Sequence, residues 1–189
     1  LFIKLSRKKA SDKRRYFYSK EEGSEYENEL KLNDKLKTDF LNRKIELKDS
    51  LFDNDENKFQ FIYDITKQYE LFVFRFTNMN CTVCIDSVFS FINKAGLSNK
   101  RLAIFCDVVA NRRNINIFRE KQKYYGKIFV LGNQKNALKD LDKYGHPYLF
   151  ILDKTLRLID LHIPIKYNNQ ETINYLQKIS DKFKRLDKL

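Results

Sequence analysis

From Leu71 onward, short apolar runs alternate with stretches in which apolar residues return every third or fourth position. The run Leu71-Phe72-Val73-Phe74-Arg75-Phe76 predicts a central strand, followed by a turn at Thr77-Asn78-Met79-Asn80. Residues 82–95 predict a helix, because Cys84, Val88 and Phe91/Ile92 share one face and Gly96 follows as a stop signal. Arg101–Cys106 predicts the next strand, 111–124 a helix, Lys127–Leu131 a strand and Asn136–Tyr144 a short helix. Gly145-His146-Pro147 ends that helix. Tyr148–Leu152 and Leu156–Ile163 then read as a hairpin about Asp153-Lys154-Thr155. A last helix over Asn169–Leu186 places Ile173, Leu176 and Ile179/Ser180 on one stripe, with basic residues at its end to complement the helix dipole.

Upstream, Lys44-Ile45-Glu46-Leu47-Lys48 alternates, Asp53–Asn57 is turn-rich, and Phe59, Phe61, Tyr63 and Ile65 recur with period two, which together predict a further hairpin. Residues 1 to about 40 alternate basic and acidic clusters with few aliphatics. They read as a charged extension, partly helical (about Glu25–Asn42) or disordered, outside the core of a domain over 41–189. The order ββ, βαβαβα, ββα predicts an α/β fold in which helices cover both faces of a mixed sheet. There is no internal repeat at solenoid periods.

A chain of 189 residues is one domain by length, and 42% apolar against 33% charged residues supports a packed core. Sixteen Phe and eleven Tyr against five Gly and two Pro exclude collagen-like and Pro/Gly-rich chains. The formal net charge is +12, and residues 1–20 alone carry eight Lys or Arg against one Asp. Arg7-Lys8-Lys9 and Lys13-Arg14-Arg15 beside Tyr16, Phe17 and Tyr18 raise a nucleic-acid reading, since phosphates attract cations and bases stack on rings. No nucleic-acid-binding module accompanies them. The arm reads instead as a solvated basic segment that also suits an anionic membrane surface. No apolar run reaches the length of a membrane span. The chain starts at Leu1 rather than Met, so the removal of something upstream is expected, which leaves open a leader or an anchor and, through an anchor, membrane association.

The residues that carry chemistry are Cys81-Thr82-Val83-Cys84, at a junction of strand and helix. Amides in the first turn of a helix lack intrahelical partners and the dipole adds positive charge there, so a thiolate at Cys81 is stabilised. Cys84, one turn on and expected to face the core, lies within reach as a resolving thiol. Two other uses of the pair stay open. A zinc site needs four ligands, which leaves Cys106, His146 and His162 to complete it. An inert disulfide closing a four-residue loop would stabilise weakly. Cys106 reads as a small buried hydrophobe and His162 as a structural residue of a period-two strand. No cofactor or metal is expected.

The same residues resemble the thioredoxin-like fold, and within it the TlpA/ResA-type and redoxin-like thiol-disulfide proteins of the cell envelope, over about 44–189. Phe74–Cys84 matches that family's strand, loop, CxxC and helix, and Tyr144–Asp153 its proline segment. The stretch 111–144 matches an inserted βα unit. The resemblance implies a cis Pro147 facing the cysteines, with His146 beside Cys81 and the substrate chain, and Asn80 in the same substrate-binding neighbourhood. It implies a thiol-disulfide oxidoreductase of the cell envelope or periplasm. Its partners would be protein thiol or disulfide substrates and an upstream redox protein. Asn80 stands where the family usually has Trp, and Arg75 where thioredoxins place a buried Asp. Arg75 either favours the thiolate electrostatically or points to a sheet edge and pairs with an acid. Two further readings are a non-catalytic binding or assembly module, and a Sco-like copper protein using Cys81, Cys84 and His146.

Overall fold

A computed structural model of the chain describes residues 24–45, 51–53, 58–60, 62–67, 69–97, 100–107, 112–131, 138–165 and 168–188. The basic arm of residues 1–20 lies outside the described residues. So do Glu46-Leu47-Lys48 and the turn at 54–57.

The apolar run forms β3 (Leu71–Phe76), in which every residue is buried. A strand buried on both faces must be central, and β3 has β4 (Leu102–Cys106) parallel on one side and β6 (Tyr148–Leu152) antiparallel on the other. Beyond β4 lies β5 (Lys127–Val130), parallel, and beyond β6 lies β7 (Leu158–His162), antiparallel. The hairpin of β1 (Leu51–Asp53) and β2 (Lys58–Gln60) joins antiparallel at the β5 edge. The seven-stranded order is therefore β2-β1-β5-β4-β3-β6-β7. Its core of three parallel strands followed by an antiparallel pair is the thioredoxin-like arrangement, with an N-terminal hairpin and an inserted unit that ends in β5.

Alternation along the strands sends two sets of side chains to opposite faces. Phe72, Phe74, Phe76, Ile104, Leu149 and Ile151 pack with Val88, Phe89 and Ile92 of α3 (Thr82–Ala95) and with Leu176, Ile179 and Phe183 of α6 (Asn169–Leu186). Ile115 of α4 (Arg112–Gln122) joins that face. Leu71, Val73, Phe105, Phe129 and Phe150 form the other face. It is covered by a helix over 24–40, α1, through Leu36 and Phe40, and by Leu141 of α5 (Lys139–Asp142).

Three expectations are corrected. Residues 24–40 do not stand outside the core: Leu36 is fully buried, and buried Asn33 donates to the Ile163 carbonyl at 3.1 Å. Asn33, Leu36 and Phe40 form a stripe at helical spacing, which burial rather than propensity stabilises. Lys44 forms an isolated antiparallel bridge with Arg157, and the first hairpin strand is Leu51–Asp53. Ile62–Thr66 is a helix, α2, where period two predicted strand. So short a run fits both periods, and the Lys67–Asp64 pair at 2.9 Å with the Thr66 hydroxyl on Tyr63 carbonyl holds the helical turn.

Candidate functional site

The chain leaves β3 at Phe76 and enters a turn fixed by its own side chains. The Asn80 amide donates to the Thr77 carbonyl (3.2 Å) and the Met79 amide to Thr77 Oγ1 (3.2 Å). Asn80 Oδ1 accepts from the Thr77 amide (2.7 Å). The turn delivers Cys81 as the N-cap of α3, with extended backbone and a side chain in the place of the usual Ser or Asp. Cys81 Sγ accepts from the Cys84 amide at 3.1 Å. The Cys84 thiol first, then the backbone amides of Cys84 and Val83, hold the Cys81 thiol below its ordinary pKa, against desolvation and, after it, the charge of Asp86. Asp86 is itself held low, chiefly by Lys121 (2.8 Å), with Gln122 adding a second bond (2.5 Å).

Both thiols are exposed. This corrects the expectation that Cys84 faces the core: residues 81–84 are all exposed, and the buried stripe of α3 begins only with half-buried Ile85 and then Val88. Met79 (83% exposed) and Val83 (73%) are exposed apolar side chains on either side of Cys81 in the chain, with Asn78 and Thr82 exposed beside them. Cys106 is buried on β4, as its apolar neighbours imply.

Facing this turn is the segment between α5 and β6. Gly145 takes a left-handed conformation (φ 70°) that favours glycine, and its carbonyl accepts from Asn80 Nδ2 at 2.8 Å. His146 is half-buried and Pro147 buried beside it. The His146–Pro147 bond is trans, where the resemblance implied cis; an X-Pro amide favours trans by about 0.5–1 kcal/mol. The side chain of Asn80, expected to meet substrate, is 8% exposed and bonds within the chain at both ends.

Arg75 lies not at a sheet edge but in the central strand, 1% exposed. Its guanidinium forks onto Asp142 (Nε–Oδ1 3.1 Å, Nη2–Oδ2 2.8 Å) and also meets Asp107 at 2.6 Å. Burial pulls its pKa down, but the Asp142 bonds and charge outweigh this and raise it. Tyr148 donates to Asp142 Oδ1 at 2.9 Å, and burial first, then Asp142, pushes its hydroxyl well up. Asp142 and Asp107 are the site's unpredicted members. The signal for them was the lone Arg in an apolar run, which must be paired if it is central.

His162 lies away from this turn, stacked on Tyr175 with ring centroids 4.4 Å apart and bonded to Thr172 Oγ1 at 3.0 Å. Burial, and secondly Lys37, lowers it to about 3, so it is a neutral structural residue. Among the described residues no three His, Cys, Asp or Glu side chains are grouped as metal ligands would be. No described helix is long and apolar enough to cross a membrane.

No protein-family model matches the chain, and no curated protein does. Among solved structures it is similar to a thiol:disulfide interchange protein from Bacteroides sp., at 16% identity over 70% of this chain and 86% of that one, TM-score 0.48. It is similar also to the thioredoxin domain of a thiol-disulfide oxidoreductase from Bacteroides vulgatus, at 15% over 71% and 91%, TM-score 0.47. A third is a putative electron transfer protein from Aquifex aeolicus VF5, at 16% over 72% and 92%, TM-score 0.49. At these identities and TM-scores the fold rests on the strand order given above, and the chemistry on the Cys81 turn itself.

Proposed function

We propose that the protein is a thiol-disulfide oxidoreductase acting on protein substrates through Cys81 and Cys84. The observation that carries this reading is Cys81 as the exposed N-cap of α3, its sulfur accepting the Cys84 amide at 3.1 Å and its pKa lowered. That is the environment that makes a thiol a nucleophile near neutral pH.

In the reductive direction Cys81 thiolate attacks one sulfur of a substrate disulfide. The S–S bond breaks, its far sulfur leaves as a thiolate that takes up a proton, and a Cys81 mixed disulfide remains. Cys84, deprotonated, attacks Cys81 Sγ, forms the Cys81–Cys84 disulfide and expels the second substrate thiolate. The substrate gains two electrons and the protein loses two, to be restored by an upstream dithiol donor. In the oxidative direction each step reverses. The exposed side chains of Met79 and Val83 suit an apolar polypeptide segment, and the segment at His146 and Pro147 is where its backbone would lie.

Insulin, as a protein disulfide probe, tests this by mass spectrometry. The Cys84→Ser variant should accumulate a mixed disulfide through Cys81, and Cys81→Ser none. Failure of both to form an adduct would overturn the catalytic reading in favour of a binding module.

A further inference from the structure

We propose that Asn80 is a positioning residue, a clasp that registers the His146-Pro147 segment against the thiols for polypeptide substrates. The inference rests on the oxidoreductase reading and adds to it a part that the CxxC pair does not itself supply.

Asn80 precedes the nucleophile directly, and its amide joins two segments 65 residues apart in sequence. Its oxygen accepts the Thr77 amide at 2.7 Å, which fixes the turn on the cysteine side. Its nitrogen donates to the Gly145 carbonyl at 2.8 Å, which fixes the residue before His146. A side-chain amide, with an acceptor and a donor on one short planar group, does both. Asp would keep the first bond and set a charge against the Gly145 carbonyl, and an apolar residue would leave the Thr77 amide without its partner.

The far segment is held at a second point by the same run of chain. Arg75, five residues before Asn80, grips the Asp142 carboxylate, and the Asp142 carbonyl accepts the Gly145 amide at 3.1 Å. Arg75, Asp142, Gly145 and Asn80 thus form one continuous set of bonds. Its last link sits beside Cys81. Cys81 itself takes its hydrogen bond from Cys84, not from Asn80. The clasp therefore governs where a substrate backbone lies and leaves the sulfur's own reactivity to the helix.

The test compares two disulfides on the full chain: insulin, which must lay a polypeptide across the site, and 5,5′-dithiobis(2-nitrobenzoate), which has none. For Asn80→Ala, kcat/KM toward insulin should fall about tenfold further than the rate with the small disulfide, which reads any change in the Cys81 turn itself. Equal rates for variant and wild type on insulin would overturn the clasp, and so would an equal loss on both disulfides, which is the mark of general damage. A wild-type chain inert toward both disulfides would instead sink the oxidoreductase reading. If Asn80→Ala does not fold, Asn80→Asp, which keeps the Thr77 bond and sets a charge against the Gly145 carbonyl, is read in its place by the same ratio of insulin rate to small-disulfide rate. Wild-type NMR supplies an independent reading: the Asn80 side-chain amide should exchange slowly and show contacts to Gly145. A freely exchanging amide without those contacts would overturn the clasp.

Discussion

Arg75 shows how one residue can carry both a packing demand and a site. A guanidinium 1% exposed in a central strand is tolerable only because Asp142 and Asp107 meet it. Arg75→Met should leave two carboxylates beside a buried apolar side chain and lower stability by about 3–5 kcal/mol, read from the denaturant midpoint. A loss within about 0.5 kcal/mol, the range of ordinary surface changes, would contradict that placement. His162 makes a pH prediction of the opposite kind. Its pKa is about 3 in the fold against an ordinary 6.5, so the unfolded chain binds the extra proton between those values. Its contribution is full above pH 6.5 and is lost as pH falls toward 3, by up to about 1.4 kcal/mol per pH unit. His162→Gln should flatten that slope in denaturation series roughly between pH 4 and 7, where the unfolded chain's histidine takes up its proton and the folded one stays neutral. An unchanged slope would show that other groups set it. The sequence exposed Cys81 and Cys84 through their spacing and Arg75 through its incongruity. Asn80 was legible only as a departure, because its role depends on a carbonyl 65 residues away.

Helix α3 is the element on which the chemistry depends. Its N-terminus holds Cys81, its buried stripe of Val88, Phe89, Ile92 and Ala95 fixes it to the sheet, and Gly96 closes it at φ 62°. Gly96→Ala should cost about 1 kcal/mol through that left-handed conformation, since no atom lies within 4 Å of the added carbon. The helix and β3, β4 and β6 were legible because long apolar runs and a clean three-and-four stripe leave few alternatives. The N-terminal elements were not. A stripe of Asn33, Leu36 and Phe40 set among charges reads as marginal until it is seen against Ile163 and the sheet. Leu36→Ala should therefore lower stability by about 2–5 kcal/mol, and exposed Lys35→Ala by less than about 0.5, in the same unfolding experiment. A neutral Leu36→Ala would return α1 to the status of an appendage.

The molecule as a whole places a turn from the centre of its sheet against a segment from the neighbouring antiparallel strand. Alternation of strands and helices made that α/β architecture readable. The closeness of residues 80 and 145 follows from β3 pairing with β6, which no local pattern specifies. On this scaffold the decisive property is the acidity of one exposed sulfur. Reduced protein is alkylated with iodoacetamide across pH, with Cys81→Ser and Cys84→Ser as controls, and the modified residue is identified by mass spectrometry. Cys81 should react first, with a midpoint clearly below the roughly 8.5 of a free thiol, and the early phase should vanish in Cys81→Ser. A Cys81 midpoint at or above about 8.5, with no preference over Cys84, would contradict a helix-capped nucleophile.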